Sequence, residues 1–123
     1  MESTICHFEI PAEDLAAARD FYSKLFGWEV VGTAKEAPEY MLVRTSPEEG
    51  ALGGALFKRG EDGRGVTLYV MVESIDDAVT RLEELGGAVV VPRAAVPGMG
   101  WTVLARDPQG TPIGLFQEDG EAS

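Results

Sequence analysis

The sequence predicts an α+β fold made of two βαβββ modules, on three observations. Strand-like and helix-like segments follow one another as βαβββ and then again as βαβββ. A glycine-rich, charged stretch from Lys58 to Gly65 divides the chain nearly in half. A short pattern recurs where each helix hands over to a strand: Leu25-Phe26-Gly27 then Glu29-Val30-Val31 is answered by Glu84-Leu85-Gly86 then Ala88-Val89-Val90.

Thr4 to Ile10 alternates as a strand, and Pro11-Ala12-Glu13-Asp14 is expected to break it, leaving Asp14 to cap a helix. Leu15, Ala18, Tyr22 and Leu25 then recur at helical spacing. Phe21 and Phe26 widen the stripe, and Gly27 stands where a left-handed cap is favoured. Strands are expected at Trp28 to Thr33, Tyr40 to Thr45 and Ala51 to Lys58, separated by a loop containing Pro38 and by Ser46-Pro47-Glu48-Glu49-Gly50. The Lys58 to Gly65 stretch reads as a linker with nothing in it that can pack.

In the second half Val66 to Val72 is strand-like. Ser74 caps a helix with Asp77 in the capping-box position, and Ile75, Ala78, Val79, Leu82 and Leu85 form its apolar face before Gly86-Gly87 ends it. Strands follow at Ala88 to Val91, Trp101 to Arg106 and Pro112 to Gln117, with turns at Val96 to Gly100 and Asp107 to Gly110. Gly98 and Gly100 precede no helix, so they suit a hairpin and not a phosphate cradle. The acidic end, Glu118 to Ser123, is expected to fray in solvent. We expect a single domain over 1–123, built of module 1 (4–58) and module 2 (66–118).

A chain of 123 residues with 45% hydrophobic content suffices for one core and is short for two independent ones. The formal charge of -11 repels phosphate backbones and anionic bilayers, so nucleic acid and membrane are excluded as expected partners. One cysteine, Cys6, permits no intrachain disulfide. With no basic leader and no long apolar run, a soluble cytoplasmic protein is expected.

The run His7-Phe8-Glu9-Ile10-Pro11, with Asp14, Phe21-Tyr22 and Phe26-Gly27-Trp28, resembles the opening of many glyoxalase-like proteins. The run Asp107-Pro108-Gln109-Gly110-Thr111-Pro112-Ile113-Gly114-Leu115-Phe116-Gln117 is similar to their ending. On these motifs the sequence resembles the glyoxalase, bleomycin-resistance protein and dihydroxybiphenyl dioxygenase (vicinal oxygen chelate) superfamily. The resemblance implies a mixed sheet cupped into a half-barrel, frequent homodimerisation, and a divalent metal held at four positions on the first and last strands of the modules.

Carried over residue by residue, the first of those positions falls on His7. The second falls in Leu52-Gly53-Gly54-Ala55-Leu56, near Gly54, the third on Thr67 and the fourth on Gly114. Glycines stand where carboxylates are expected, so His7 is the one remaining metal candidate and no metal cofactor is expected. A site of two histidines and one carboxylate cannot be built in a chain with one histidine.

His7 and Glu9 share a strand face and are the candidates for acid-base work; the plainer reading has Glu9 solvated at a strand end. His7, Thr67, Tyr69, Met71, Trp101 and Phe116 are the candidate ligand-binding residues, suited to lining an apolar pocket. Cys6 alternates away from His7 and reads as a helix-facing thiol, and Trp28 as a packing residue. The expected function is metal-independent binding of a small aromatic or antibiotic-like molecule by a homodimer. The alternatives are a metal-dependent glyoxalase-like lyase or isomerase, and a non-catalytic structural or regulatory module.

Overall fold

A computed structural model describes residues 3–34 and 37–123. The loop expected around Pro38 lies partly outside the described residues. The elements run β1 (Ile5–Ala12), α1 (Leu15–Phe26), β2 (Glu29–Ala34), β3 (Ala37–Arg44), β4 (Gly53–Lys58), β5 (Thr67–Met71), α2 (Ile75–Glu84), β6 (Ala88–Val96), β7 (Gly100–Arg106) and β8 (Pro112–Glu118). Eight strands of mixed sheet and two helices make the α+β class that the repeat predicts.

The chain forms two compact units, His7–Thr67 and Leu68–Ser123, the latter joined by Met1–Cys6. In the first, the strand order is β2-β3-β4-β1, with β1 parallel to β4 and the other pairs antiparallel. In the second it is β5-β8-β7-β6, with β5 parallel to β8 and the others antiparallel. The start of the chain lies along β5, where the Met71 N–H donates to the Thr4 carbonyl at 2.9 Å.

Local chemistry sets the helix ends. Asp14 accepts from the Ala17 N–H at 3.0 Å, and Gly27 closes α1 at φ 76°, a conformation that costs a residue with a β-carbon far more. Ser74 accepts from the Asp77 N–H at 3.2 Å, the first half of the predicted capping box.

Each helix covers one face of its own sheet. Under α1, Phe8, Val43 and Leu56 form the buried centre against Leu15, Ala18, Tyr22 and Trp28. Burying a residue such as Leu56 stabilises by about 1.5–3 kcal/mol. Under α2, Ile75, Val103, Ala105 and Leu115 play the same part. The α1 stripe is narrower than its sequence suggests: Phe21, Leu25 and Phe26 are more than half exposed, because the residues that reach the sheet are Leu15, Ala18 and Tyr22.

Three other expectations change. Strand β1 continues through Pro11, paired beside Phe57, so proline does not break it where the ladder makes no demand on its missing N–H. Strand β6 extends to Val96, its bulges around Val89 to Ala94 accommodating Pro92 in the last strand of the order. The C-terminal segment is tied down and not frayed. Gly98 N–H donates to the Ala122 carbonyl at 2.9 Å, Asp119 N–H to Met99 at 2.9 Å, and Ala122 is buried.

Candidate functional site

Strand alternation sends Phe8 and Ile10 under α1 and turns His7 and Glu9 to the other face of the first sheet. The ladder brings Ala55 of β4 beside Glu9, and Leu42 and Tyr40 of β3 beside Ala55 and Phe57. This face carries a connected row of polar groups. His7 Nε2 and the Tyr40 hydroxyl lie 2.7 Å apart, and that hydroxyl donates to Glu9 Oε2 at 2.7 Å. Arg64 Nη1 donates to Glu9 Oε1 at 2.9 Å and to Thr67 Oγ1 at 2.6 Å, and Thr67 donates to the Gly65 carbonyl at 3.2 Å.

Glu9 is 6% exposed and Thr67 fully buried. A carboxylate at that depth is tolerated because the guanidinium and the hydroxyl between them engage both its oxygens. The guanidinium also lies 4.5 Å from the Phe57 ring centroid, a cation–π contact that fixes its plane.

Hydrogen-bond direction follows from the chemistry. Glu9, ion-paired with Arg64, can only accept, so the Tyr40 proton points to it and the Tyr40 oxygen accepts from His7 Nε2–H. Burial pushes the His7 imidazole below its ordinary value of 6.5, opposed by the Glu9 charge. The neutral ring then carries its proton on Nε2 and its lone pair on Nδ1.

The predicted site residues divide between the units. His7, Glu9 and Thr67 join one network in the first unit. Glu9 is buried and not solvated, and Thr67 serves Arg64. Tyr69, Met71 and Phe116 share the face of the second sheet turned away from α2. Trp101 does not join them. It packs on the α2 side against Val103 and its neighbours, donating from Nε1 to Asp119 at 3.0 Å and carrying Arg93 4.7 Å above its ring. The Asp119 carboxyl is held below its usual range by the Glu121 N–H and by that indole. Cys6 is half-buried, its thiol directed to the Tyr69 carbonyl, and burial pushes its pKa up.

Sequence reasoning missed Tyr40, Phe57 and Arg64. Arg64 corrects the reading of Lys58 to Gly65 as a stretch in which nothing can pack: an arginine brings its own packing surface and finds Phe57 and Glu9. The signals were an arginine three residues before Thr67, at the end of a stretch that also holds Lys58 and Arg59, and a tyrosine in the period-2 row of β3.

The donor set does not fit the metal centre that the resemblance implies. Gly54 faces α1: a β-carbon there would meet the Phe8 ring and carbonyl at 2.5 Å, so the residue on the His7 face is Ala55, which has no donor. Gly114 is roofed by Tyr69, whose ring would lie 2.3 Å from a β-carbon at 114. Glu9 is already held by Arg64 and Tyr40. Among the described residues no group of three or more His, Cys, Asp or Glu side chains could hold a metal ion.

Comparison with known proteins agrees with the fold. A model of the Glyoxalase/Bleomycin resistance protein/Dioxygenase superfamily matches residues 4–115. The chain is 27% identical over 127 residues to the anthracycline biosynthesis protein DnrV of Streptomyces peucetius, covering 90% of this chain and 46% of that protein. The anthracycline biosynthesis protein DauV of Streptomyces sp. (strain C5) gives the same figures, so the chain spans about half the length of both relatives. Among solved structures, methylmalonyl-CoA epimerase from Mycobacterium tuberculosis superposes with a TM-score of 0.71 at 20% identity, over 94% of this chain and 87% of that one. A glyoxalase/bleomycin resistance protein/dioxygenase superfamily member from Vibrio splendidus 12B01 gives 0.70 at 14% identity, over 96% and 100%.

Proposed function

We propose that this chain, which belongs to the Glyoxalase/Bleomycin resistance protein/Dioxygenase superfamily, binds a small aromatic molecule without a resident metal. The ligand would lie over the row formed by His7, Tyr40, Glu9 and Arg64. The observation that carries the reading is the buried Glu9–Arg64 pair, extended through Tyr40 to His7. A buried ion pair is weak as a source of stability, since well-packed apolar residues would serve as well or better. Its placement on a sheet face beside an imidazole fits a recognition surface.

The two relatives, of whose length this chain spans about half, take part in anthracycline biosynthesis by their names, which suggests planar fused-ring compounds as the ligand class. The net charge of -11 would favour the approach of a cationic member of that class, through on-rate more than through selection. A metal-dependent lyase or isomerase loses support from the donor set, since two of the four family positions are glycines and the hydroxyl at the third, Thr67, is engaged by Arg64.

Fluorescence titration of the whole chain with an anthracycline and a set of hydroxyanthraquinones tests the reading. Saturable one-to-one binding, weakened at least tenfold by Tyr40→Phe or His7→Ala, is expected. Absence of saturable binding across the set would sink it.

A further inference from the structure

We infer that Arg64 is the resident cation of this face, holding the place that a divalent metal would take, and that it receives an oxyanion of the bound molecule. That oxygen would be an enolate, phenolate or carboxylate. The inference rests on the ligand-binding reading above and adds the group by which the ligand is held.

Four observations carry it. Both hydrogens of Arg64 Nη1 are directed inward, to Glu9 Oε1 at 2.9 Å and Thr67 Oγ1 at 2.6 Å, so the guanidinium is anchored at two protein oxygens as a bound cation would be. Thr67 is fully buried and Glu9 nearly so, and the Arg64 side chain keeps 16% of its surface accessible. No buried side-chain nitrogen or oxygen among the described residues lacks a partner, so the N–H groups on Nε and Nη2 are not fully buried and share in the side chain's 16% exposure. The Phe57 ring at 4.5 Å holds the guanidinium plane, so those N–H groups keep a fixed direction.

A planar fork of N–H donors that is always charged recognises an oxyanion with two parallel bonds, which a lysine in the same place could not do. The Tyr40 hydroxyl shares the charge of Glu9, so the guanidinium is not spent on that carboxylate alone. The same geometry opposes a metal, because a divalent ion at Glu9 and Thr67 would displace or confront a positive charge already seated there.

His7 is the single histidine of the chain, so its ring resonances report this face without assignment ambiguity. The first arm adds Ni²⁺ or Mn²⁺ to the unsubstituted chain. Unchanged His7 signals at one equivalent are expected, and selective broadening of His7 at that ratio overturns the place assigned to Arg64. The second arm compares 1,2-dihydroxyanthraquinone with its dimethyl ether. Wild type should bind the ionisable compound at least tenfold more tightly, Arg64→Gln should lose the preference, and Arg64→Lys, which keeps the charge if the fold suffers in Arg64→Gln, should retain part of it. Equal binding of both compounds to wild type overturns the oxyanion role and leaves ligand binding standing. Binding of neither overturns ligand binding and the oxyanion role together.

Discussion

The two units share a topology and treat the open faces of their sheets in opposite ways. In the first, the face turned from α1 carries His7, Glu9, Tyr40 and Arg64, joined by hydrogen bonds and one ion pair. In the second, the corresponding face carries rings laid over glycines: Tyr69 on Gly114 and Phe116 on Gly100. A ring over a glycine fills the space a side chain would have used and brings no charge. One face therefore carries charged and hydrogen-bonding groups and the other carries rings, so one repeated topology presents two different surfaces.

The contrast is broken most severely by taking Glu9 away. Glu9→Ala leaves the Arg64 guanidinium mostly buried with no counter-charge and removes the acceptor of Tyr40, a loss of about 3–5 kcal/mol for breaking a buried pair from one side. The remaining exposure of Arg64 places the expected value toward the lower end. Urea unfolding followed by circular dichroism measures it. Glu9→Gln keeps the shape and one acceptor, and should cost clearly less. A Glu9→Ala loss below about 1 kcal/mol would mean the first face is no more committed than an exposed surface pair.

Much of this arrangement was legible in the sequence, and the parts that were not have physical reasons. The order of elements, the caps at Asp14 and Ser74, the left-handed Gly27 and the shared face of His7 and Glu9 all follow from local spacing, and local spacing is what a sequence displays. Tyr40 and Arg64 were missed because their partner, Glu9, lies 31 and 55 residues away: the β3-β4-β1 ladder brings Tyr40 to it, and the connection between β4 and β5 brings Arg64. Gly54 and Trp101 fell on the wrong faces because a strand repeats every two residues, so a one-residue error in register exchanges core for surface. Glu9 was read as solvated for want of its partner. Without Arg64 in view, burial of that carboxylate had no compensation.

On the second face, Gly114→Glu restores the carboxylate that the family resemblance expects and sharpens the contrast. The new β-carbon would lie 2.3 Å from the Tyr69 ring, so the ring must move; overpacking of this kind costs about 1–3 kcal/mol. Tyr69→Ala in the same chain should recover a large part of that loss by vacating the space. The double-mutant cycle, read from unfolding midpoints, checks the coupling. Strictly additive losses would show that Tyr69 does not guard the position.

The smallest expected effect is a pH dependence that belongs to the first face alone, since it holds the histidine. Burial lowers the folded-state pKa of His7 below its unfolded value of 6.5, so between those two values the unfolded chain binds more protons than the folded one. Stability from this group is therefore fully present above 6.5 and is lost as the pH falls from 6.5 through the depressed folded value. His7→Gln keeps a hydrogen-bonding side chain and removes the titration. The difference in unfolding free energy between wild type and His7→Gln should grow more unfavourable to wild type as the pH drops across that window, and be flat above it. Carboxylates titrating elsewhere affect both chains alike and cancel in the difference. A difference that runs the other way, with wild type gaining on acidification, would mean that the Glu9 charge outweighs burial at His7, and that the imidazole of this face is held as a cation.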